Sequence, residues 1–185
     1  MKKVSFIVAA LCLLAACNSG EPKSADSATT NDSAAATTTA APLTYAYTPT
    51  YSGDFEIGDP KYAQTILDLW KDFDNNTFDN HKDAFADSIY IDFSEGEHFA
   101  GTRDSLISNM KAYRTSLGTS TSTVIAWTTI KPKGKDDTWV IVWGKEIDEK
   151  NGKKDSVNLN ENWMFNKDGK ISFMTQYRQK YAAKK

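Results

Sequence analysis

The chain has 185 residues, 22 basic and 24 acidic side chains, a net charge of −2, two cysteines and two histidines. A mildly acidic surface argues against nucleic acid as a partner, because such binding rests on neutralising phosphates. Both cysteines, Cys12 and Cys17, fall within the first seventeen residues, so no disulfide or cysteine nucleophile is available further on. With His81 and His98 as the whole imidazole supply, a zinc site of the usual kinds is not expected either. No metal and no cofactor are predicted.

In chain order, Lys2 and Lys3 form a positive head, Val4 to Leu14 an apolar run, and Leu14-Ala15-Ala16-Cys17 a small-residue ending. This is the layout of a secretory signal, too short and wrongly flanked for a permanent membrane span. Residues 1–16 are therefore predicted to be removed, which also makes the mature chain more acidic. The ending resembles the lipobox of bacterial lipoproteins. That resemblance implies acylation of Cys17 and tethering to a membrane of the cell envelope, since two or more acyl chains hold firmly where one does not. Asn18 and Ser19 after the cysteine lack the acidic residue associated with inner-membrane retention, which tilts the expectation to the outer membrane.

Residues 17–57 read as a tether. Asn18 to Pro42 is almost wholly Ser, Thr, Ala, Asp and Pro, with too little apolar surface to offset ordering entropy. Leu43 to Ile57 adds Tyr45, Tyr47, Tyr51 and Phe55, as a flexible stretch or as an arm lying on the domain. Taken as coil, roughly 40 residues reach on the order of 35 Å.

Residues 58–185 hold one domain's worth of chain. Asp59-Pro60 opens a first helix, with Tyr62, Ile66, Leu69, Trp70 and Phe73 on one stripe and Lys61, Asp68, Lys71 and Asp72 opposite. Asn75-Asn76-Thr77 ends it, and Asp79 to Ala84 suggests a short second helix. Ser88 to Phe93 alternates as a strand, with Tyr90 and Asp92 on the outside. Thr102 caps a third helix that turns Leu106, Met110, Tyr113 and Leu117 inward and stops at Gly118. Thr121 to Lys131, Thr138 to Asp148, Val157 to Phe165 and Ile171 to Tyr181 are β-rich runs joined at Lys133-Gly134, Asn151-Gly152 and Asp168-Gly169. Helices ahead of a mostly antiparallel sheet predict an α+β fold.

Three segments, in this order and spacing, carry a second resemblance: Asp83-Ala84-Phe85-Ala86-Asp87-Ser88, Phe99-Ala100-Gly101-Thr102-Arg103-Asp104, and Trp163 through Ile171. From about Asp59 to Tyr181 the chain resembles the nuclear transport factor 2-like, or ketosteroid isomerase-like, superfamily in its bacterial SnoaL-like branch. The resemblance implies a cone of three N-terminal helices packed on a strongly curved, mostly antiparallel sheet around a hollow. It also implies a homodimer joined sheet to sheet. The superfamily includes isomerases, cyclases, dehydratases and non-catalytic binding domains, so fold alone does not choose among them.

On the isomerase pattern the general-base position falls on Phe93 and the tyrosine position on Leu69 or Trp70, none of which moves a proton. Glu161 falls on the oxyanion-hole acid. Along Val157-Leu159-Glu161-Trp163-Phe165 it is a lone carboxylate in an apolar row, where desolvation would raise its pKa. Its alternatives are a pair with Arg178 or a solvated place at the rim. In the last strand either Met174, Gln176 and Arg178 or Phe173, Thr175 and Tyr177 face inward, depending on a bulge after the Asp168-Gly169 turn. The resemblance favours the first set, which would let Arg178 and Gln176 hold an anionic or amide ligand. Trp70, Trp127, Trp139, Trp143 and Trp163 could line a pocket or fill a core. Trp139, Ile141 and Trp143 alternate with Val140, Val142 and Gly144, so the outer face of that strand calls for a cover, such as a second copy of the chain.

The expected ligand-binding set is thus Trp70, Phe93, Trp143, Leu159, Glu161, Trp163, Gln176 and Arg178. The favoured function is binding of a small, partly apolar molecule without catalysis. The alternatives are an acid/base enzyme using Glu161, assisted by Arg178 or His98, and a protein-binding module of the cell envelope.

Overall fold

The computed structural model describes residues 43–180. The expected signal peptide, Cys17 and the Ser/Thr/Ala-rich stretch to Pro42 lie outside the described residues. The described sheet and helices all belong to the compact unit Tyr45–Lys185. No helix among the described residues is long and apolar enough to cross a membrane.

The sheet begins earlier than the sequence suggests, inside the stretch assigned to the tether. β1 (Phe55–Ile57) pairs antiparallel with β4 (Thr119–Pro132), Ile57 opposite Ile130. Just ahead of it, the Tyr51 ring packs edge-on to Trp139 with centroids 6.0 Å apart. The arm reading therefore holds for this part of the segment.

Helix α1 (Lys61–Asn75) starts where Asp59 Oδ1 accepts the Lys61 backbone N–H at 2.9 Å. It ends where Asn76 turns left-handed, at φ 56°, a region asparagine tolerates better than most residues. Ala63, Ile66, Leu69 and Trp70 are buried on the expected stripe. Asp72 is buried too, although the periodicity places it on the solvent side. Its carboxylate accepts bonds from Thr77 Oγ1 at 2.9 Å and Asn80 Nδ2 at 3.2 Å and meets His81 Nδ1 at 2.6 Å. These contacts pin the chain after α1.

That pinning explains why the expected second helix does not form. Phe78–Asn80 and Lys82–Ala84 are single 3₁₀ turns, because Phe78 drops into the core while Asn80 and His81 serve Asp72. Two α-helices, not three, precede the long strands.

Strand β2 (Phe85–Asp92) and strand β3 (His98–Thr102) form a hairpin. Helix α2 (Arg103–Leu117) follows, with Thr102 Oγ1 accepting the Ser105 N–H. Within the second sequence motif, Arg103 reaches back to Asp87 at 3.0 Å and Asp83 at 3.3 Å, tying it to the first. Leu106 and Ile107 are buried, and so is Arg114. Arg114 donates to the carbonyls of Phe73, Asp74 and Gly118 at 2.7, 2.8 and 2.6 Å, satisfying helix-end acceptors of both helices at once. Tyr113, expected inward, is 44% exposed.

Long strands complete the domain: β4, β5 (Thr138–Lys150), β6 (Lys153–Phe165) and β7 (Ile171–Lys180). The seven-stranded sheet runs β1-β4-β5-β6-β7-β2-β3, antiparallel throughout except for β2 beside β7. Register shifts interrupt β4 between Val124 and Ala126 and the β6–β7 ladder between Met164 and Phe165. Such bulges bend a sheet and increase its twist. The inner rows Val140-Val142 and Val157-Leu159-Trp163-Phe165 join Ile66, Leu69 and Trp70 of α1 and Leu106 of α2 in one core.

Candidate functional site

A cavity of about 440 Å³ opens between this inner face and the two helices. Leu69, Trp70 and Phe73 of α1, Leu106 and Met110 of α2, and Ile91, Leu159, Trp163 and Met174 of the sheet supply its apolar wall. Glu146, Glu161, Gln176, Arg178 and Tyr113 supply most of its polar groups.

Alternation along β6 turns Val157, Leu159, Glu161, Trp163 and Phe165 inward, as expected, and leaves Asn158, Asn160 and Asn162 on the other side. On β7 the inward set is Met174, Gln176 and Arg178. The cause is a one-residue bulge: Phe165 pairs with Ile171 and Met164 with Phe173, leaving Ser172 without an opposite number. Of the eight residues expected at a ligand, Trp70, Phe93, Leu159, Glu161, Trp163, Gln176 and Arg178 line the cavity. Trp143 does not. It is 40% exposed on the outer face, across from Asn160 of β6. Its neighbour Gly144 faces inward instead, and for a steric reason. A β-carbon there would stand 2.5 Å from Trp70 Cζ3 and Cη2, so the absent side chain is what admits the Trp70 indole.

Glu161 is 5% exposed and neither paired with Arg178 nor at a rim. One carboxylate oxygen accepts the indole N–H groups of Trp70 at 2.7 Å and Trp163 at 3.0 Å, and the other accepts Gln176 Nε2 at 2.8 Å. Burial pushes its pKa up, while those three donors and Arg178 pull the other way. Three donors aimed at one carboxylate fix both indoles and the amide, and leave Glu161 little freedom to exchange a proton with a ligand.

Arg178 donates instead to Tyr113 Oη at 2.8 Å and to Glu146 Oε1 at 3.3 Å. Glu146, on β5 opposite Val157, is 6% exposed. Burial first, then the neighbouring Asp148 charge and more weakly Glu161, push its pKa from 4.5 up to about 7 against the pull of Arg178. A buried acid poised near neutrality beside an arginine and a tyrosine can bind a polar group or shuttle a proton. Sequence reading missed it. The signal was present, because the alternation that turns Val140 and Val142 inward continues through Gly144 to Glu146, but Lys145 to Lys150 resembles a solvated strand end.

His98 lies away from the cavity wall: its ring stacks on Tyr90 on the outer side of the β2–β3 hairpin, with centroids 5.8 Å apart. Tyr90 also stacks on Phe173, which meets Trp139 edge-on, so an aromatic row crosses the outer face. Among the described residues no group of three or more His, Cys, Asp or Glu side chains is placed to hold a metal ion.

No protein-family model matches the chain, and no curated protein matches it in sequence. Solved structures match it in fold. A nuclear transport factor 2-like protein of unknown function from Exiguobacterium sp. 255-15 superposes with a TM-score of 0.50 at 16% identity, covering 64% of this chain and 98% of that one. A nuclear transport factor 2-like protein from Anabaena variabilis ATCC 29413 gives 0.52 at 14% identity, over 65% and 89% of the two chains. An LEH-like epoxide hydrolase from M. tuberculosis gives 0.53 at 10% identity, over 64% and 83%. The fold is that of the nuclear transport factor 2-like proteins, as the sequence resemblance implied, with two helices in place of three.

Proposed function

We propose that this domain binds a small, largely apolar molecule in the cavity between helices and sheet, oriented by Glu146, Arg178 and Tyr113. The observation that carries this reading is the cavity itself. At about 440 Å³ it falls in the range of small-molecule pockets, and its apolar wall with one polar corner is how such pockets combine affinity with orientation. The base and tyrosine positions of the isomerase pattern hold no proton-transfer group, since Phe93 and the Leu69–Trp70 pair occupy them.

Native mass spectrometry of the purified full chain tests the proposal. The expected result is a retained small-molecule adduct that disappears in Leu159→Trp, which fills the cavity. An adduct unchanged in that variant, or an empty wild-type protein that no apolar probe enters, refutes it.

One observation favours a second reading, an acid/base enzyme working on the same ligand. Glu146 titrates near neutrality inside the cavity, so it, rather than the fully engaged Glu161, would move the proton. Turnover of the retained molecule, lost in Glu146→Gln even at saturating ligand, would establish that reading over simple binding. We further propose that Cys17 anchors the chain at the cell envelope, the outer membrane by preference, which the mass of the mature N-terminal peptide checks. A second copy of the chain covering the outer face around Trp143 is the partner proposed for the domain. The reading of the whole domain as a docking module for another envelope protein would replace both if that face were found bound to a different chain.

A further inference from the structure

Resting on the reading that the cavity is a ligand site, we infer that its ligand carries a cationic nitrogen, an amine or a related group, seated against Glu146. The charge lining the cavity is lopsided. Glu95, Glu97, Glu146 and Glu161 contribute to the wall, and Arg178 is the one basic side chain there. Glu161 is already occupied by three donors. Arg178 spends one terminal nitrogen on Tyr113 and the other on Glu146, the second at a long 3.3 Å.

An anionic ligand therefore finds poor terms. Arg178 Nε is buried and has no partner, and each terminal nitrogen keeps a second N–H beside the carboxylate or hydroxyl it already serves. These donors can serve a neutral acceptor such as a hydroxyl or carbonyl, but a carboxylate or phosphate placed on them would stand beside Glu146 and feel Glu95 as well. Of the sequence expectation, an anionic or amide ligand held by Arg178 and Gln176, the anionic form is disfavoured on this reading, because both side chains already bond carboxylates of this chain. A cationic group meets the opposite situation. Glu146 takes a long bond from Arg178 and shares a side-chain hydrogen bond with Asp148; once ionised, the pair can accept an ammonium N–H, and charge-assisted bonds of this kind are the strong ones. Phe73, Phe93, Phe99 and Tyr113 line the same space, and aromatic faces attract cations while repelling anions.

Three probes of matched shape test this on the full chain: 2-phenylethylamine, 2-phenylethanol and 3-phenylpropanoate, titrated calorimetrically at about pH 8, above the Glu146 value of about 7. The amine is expected to bind on the order of tenfold more tightly than the alcohol, and the carboxylate most weakly. Glu146→Gln should narrow the amine-to-alcohol affinity ratio to within a few-fold. Glu95→Gln, at an exposed position, should reduce the amine preference in part. If the alcohol or the carboxylate binds as well as or better than the amine, the cationic inference falls and the cavity reading stands. If none of the three binds, both fall.

Discussion

Replacing Glu146 by Gln exchanges an acid that folding desolvates for a neutral side chain of the same shape. Burial, with Asp148 beside it, raises the group from 4.5 to about 7. Between those values the native chain holds a proton that the unfolded chain has released, so unfolding releases a proton and stability declines as pH rises. The contribution is whole below about 4.5, falls progressively, and is lost once pH has passed about 7. A displacement of that size, at about 1.4 kcal/mol for each factor of ten, amounts to about 3 kcal/mol. Glutamine cannot titrate and can still accept from Arg178, so its curve lacks this decline. Urea unfolding at about pH 4 and about pH 8 should therefore show the variant near wild type in acid and about 3 kcal/mol better, relative to that baseline, in base. Taking the difference between the two pH values removes constant effects such as a weakened Arg178 contact. Parallel stability profiles for the two proteins would refute the reasoning, and with it the assignment of Glu146 as the acid poised for the cavity.

Gly144→Ala should destabilise the domain by about 2–4 kcal/mol, because the new methyl cannot coexist with Trp70 at 2.5 Å and the ring must give up its 2.7 Å bond to Glu161. Unchanged urea unfolding would contradict that. Glu161→Leu leaves two indole N–H groups and the Gln176 amide without their acceptor. Each orphaned donor costs about 1–3 kcal/mol and relief of the buried charge returns part of it, so a net loss of about 2–4 kcal/mol is expected in thermal unfolding, with altered tryptophan emission. Trp143→Glu places a charge on the outer face without touching the cavity; light scattering on a size-exclusion column should show a dimeric wild type become monomeric, with probe binding intact. A monomeric wild type, or a variant that stays dimeric, would remove the second copy from that face.

The stripe of α1, the Thr102 cap and the alternation of β6 were legible because each depends on residues within a few positions of one another. The same locality placed Leu159, Glu161 and Trp163 on one face. It failed where a distant partner intervened. Asp72 looks solvated until Thr77, Asn80 and His81 fold back onto it. Arg114 looks like an exposed helix residue until the ends of both helices present it with carbonyls. Glu146 looks like part of a charged hairpin until α2 brings Tyr113 to Arg178 and closes the cavity beside it.

By itself the sequence determined the placing of helices before four long strands, the absence of cysteine beyond Cys17, and the isolation of one carboxylate in an apolar row. These follow from composition and from periodicities of 3.6 and 2, which are properties of a short stretch of chain. Tertiary structure decided which face of β7 looks inward, through the unpaired Ser172, and which tryptophans meet the cavity, through the space left by Gly144. It also decided that Glu161 is anchored while Glu146 is held near neutrality. A pKa, a bulge and a close contact are set by groups far apart in sequence, and no local pattern encodes the distance between them.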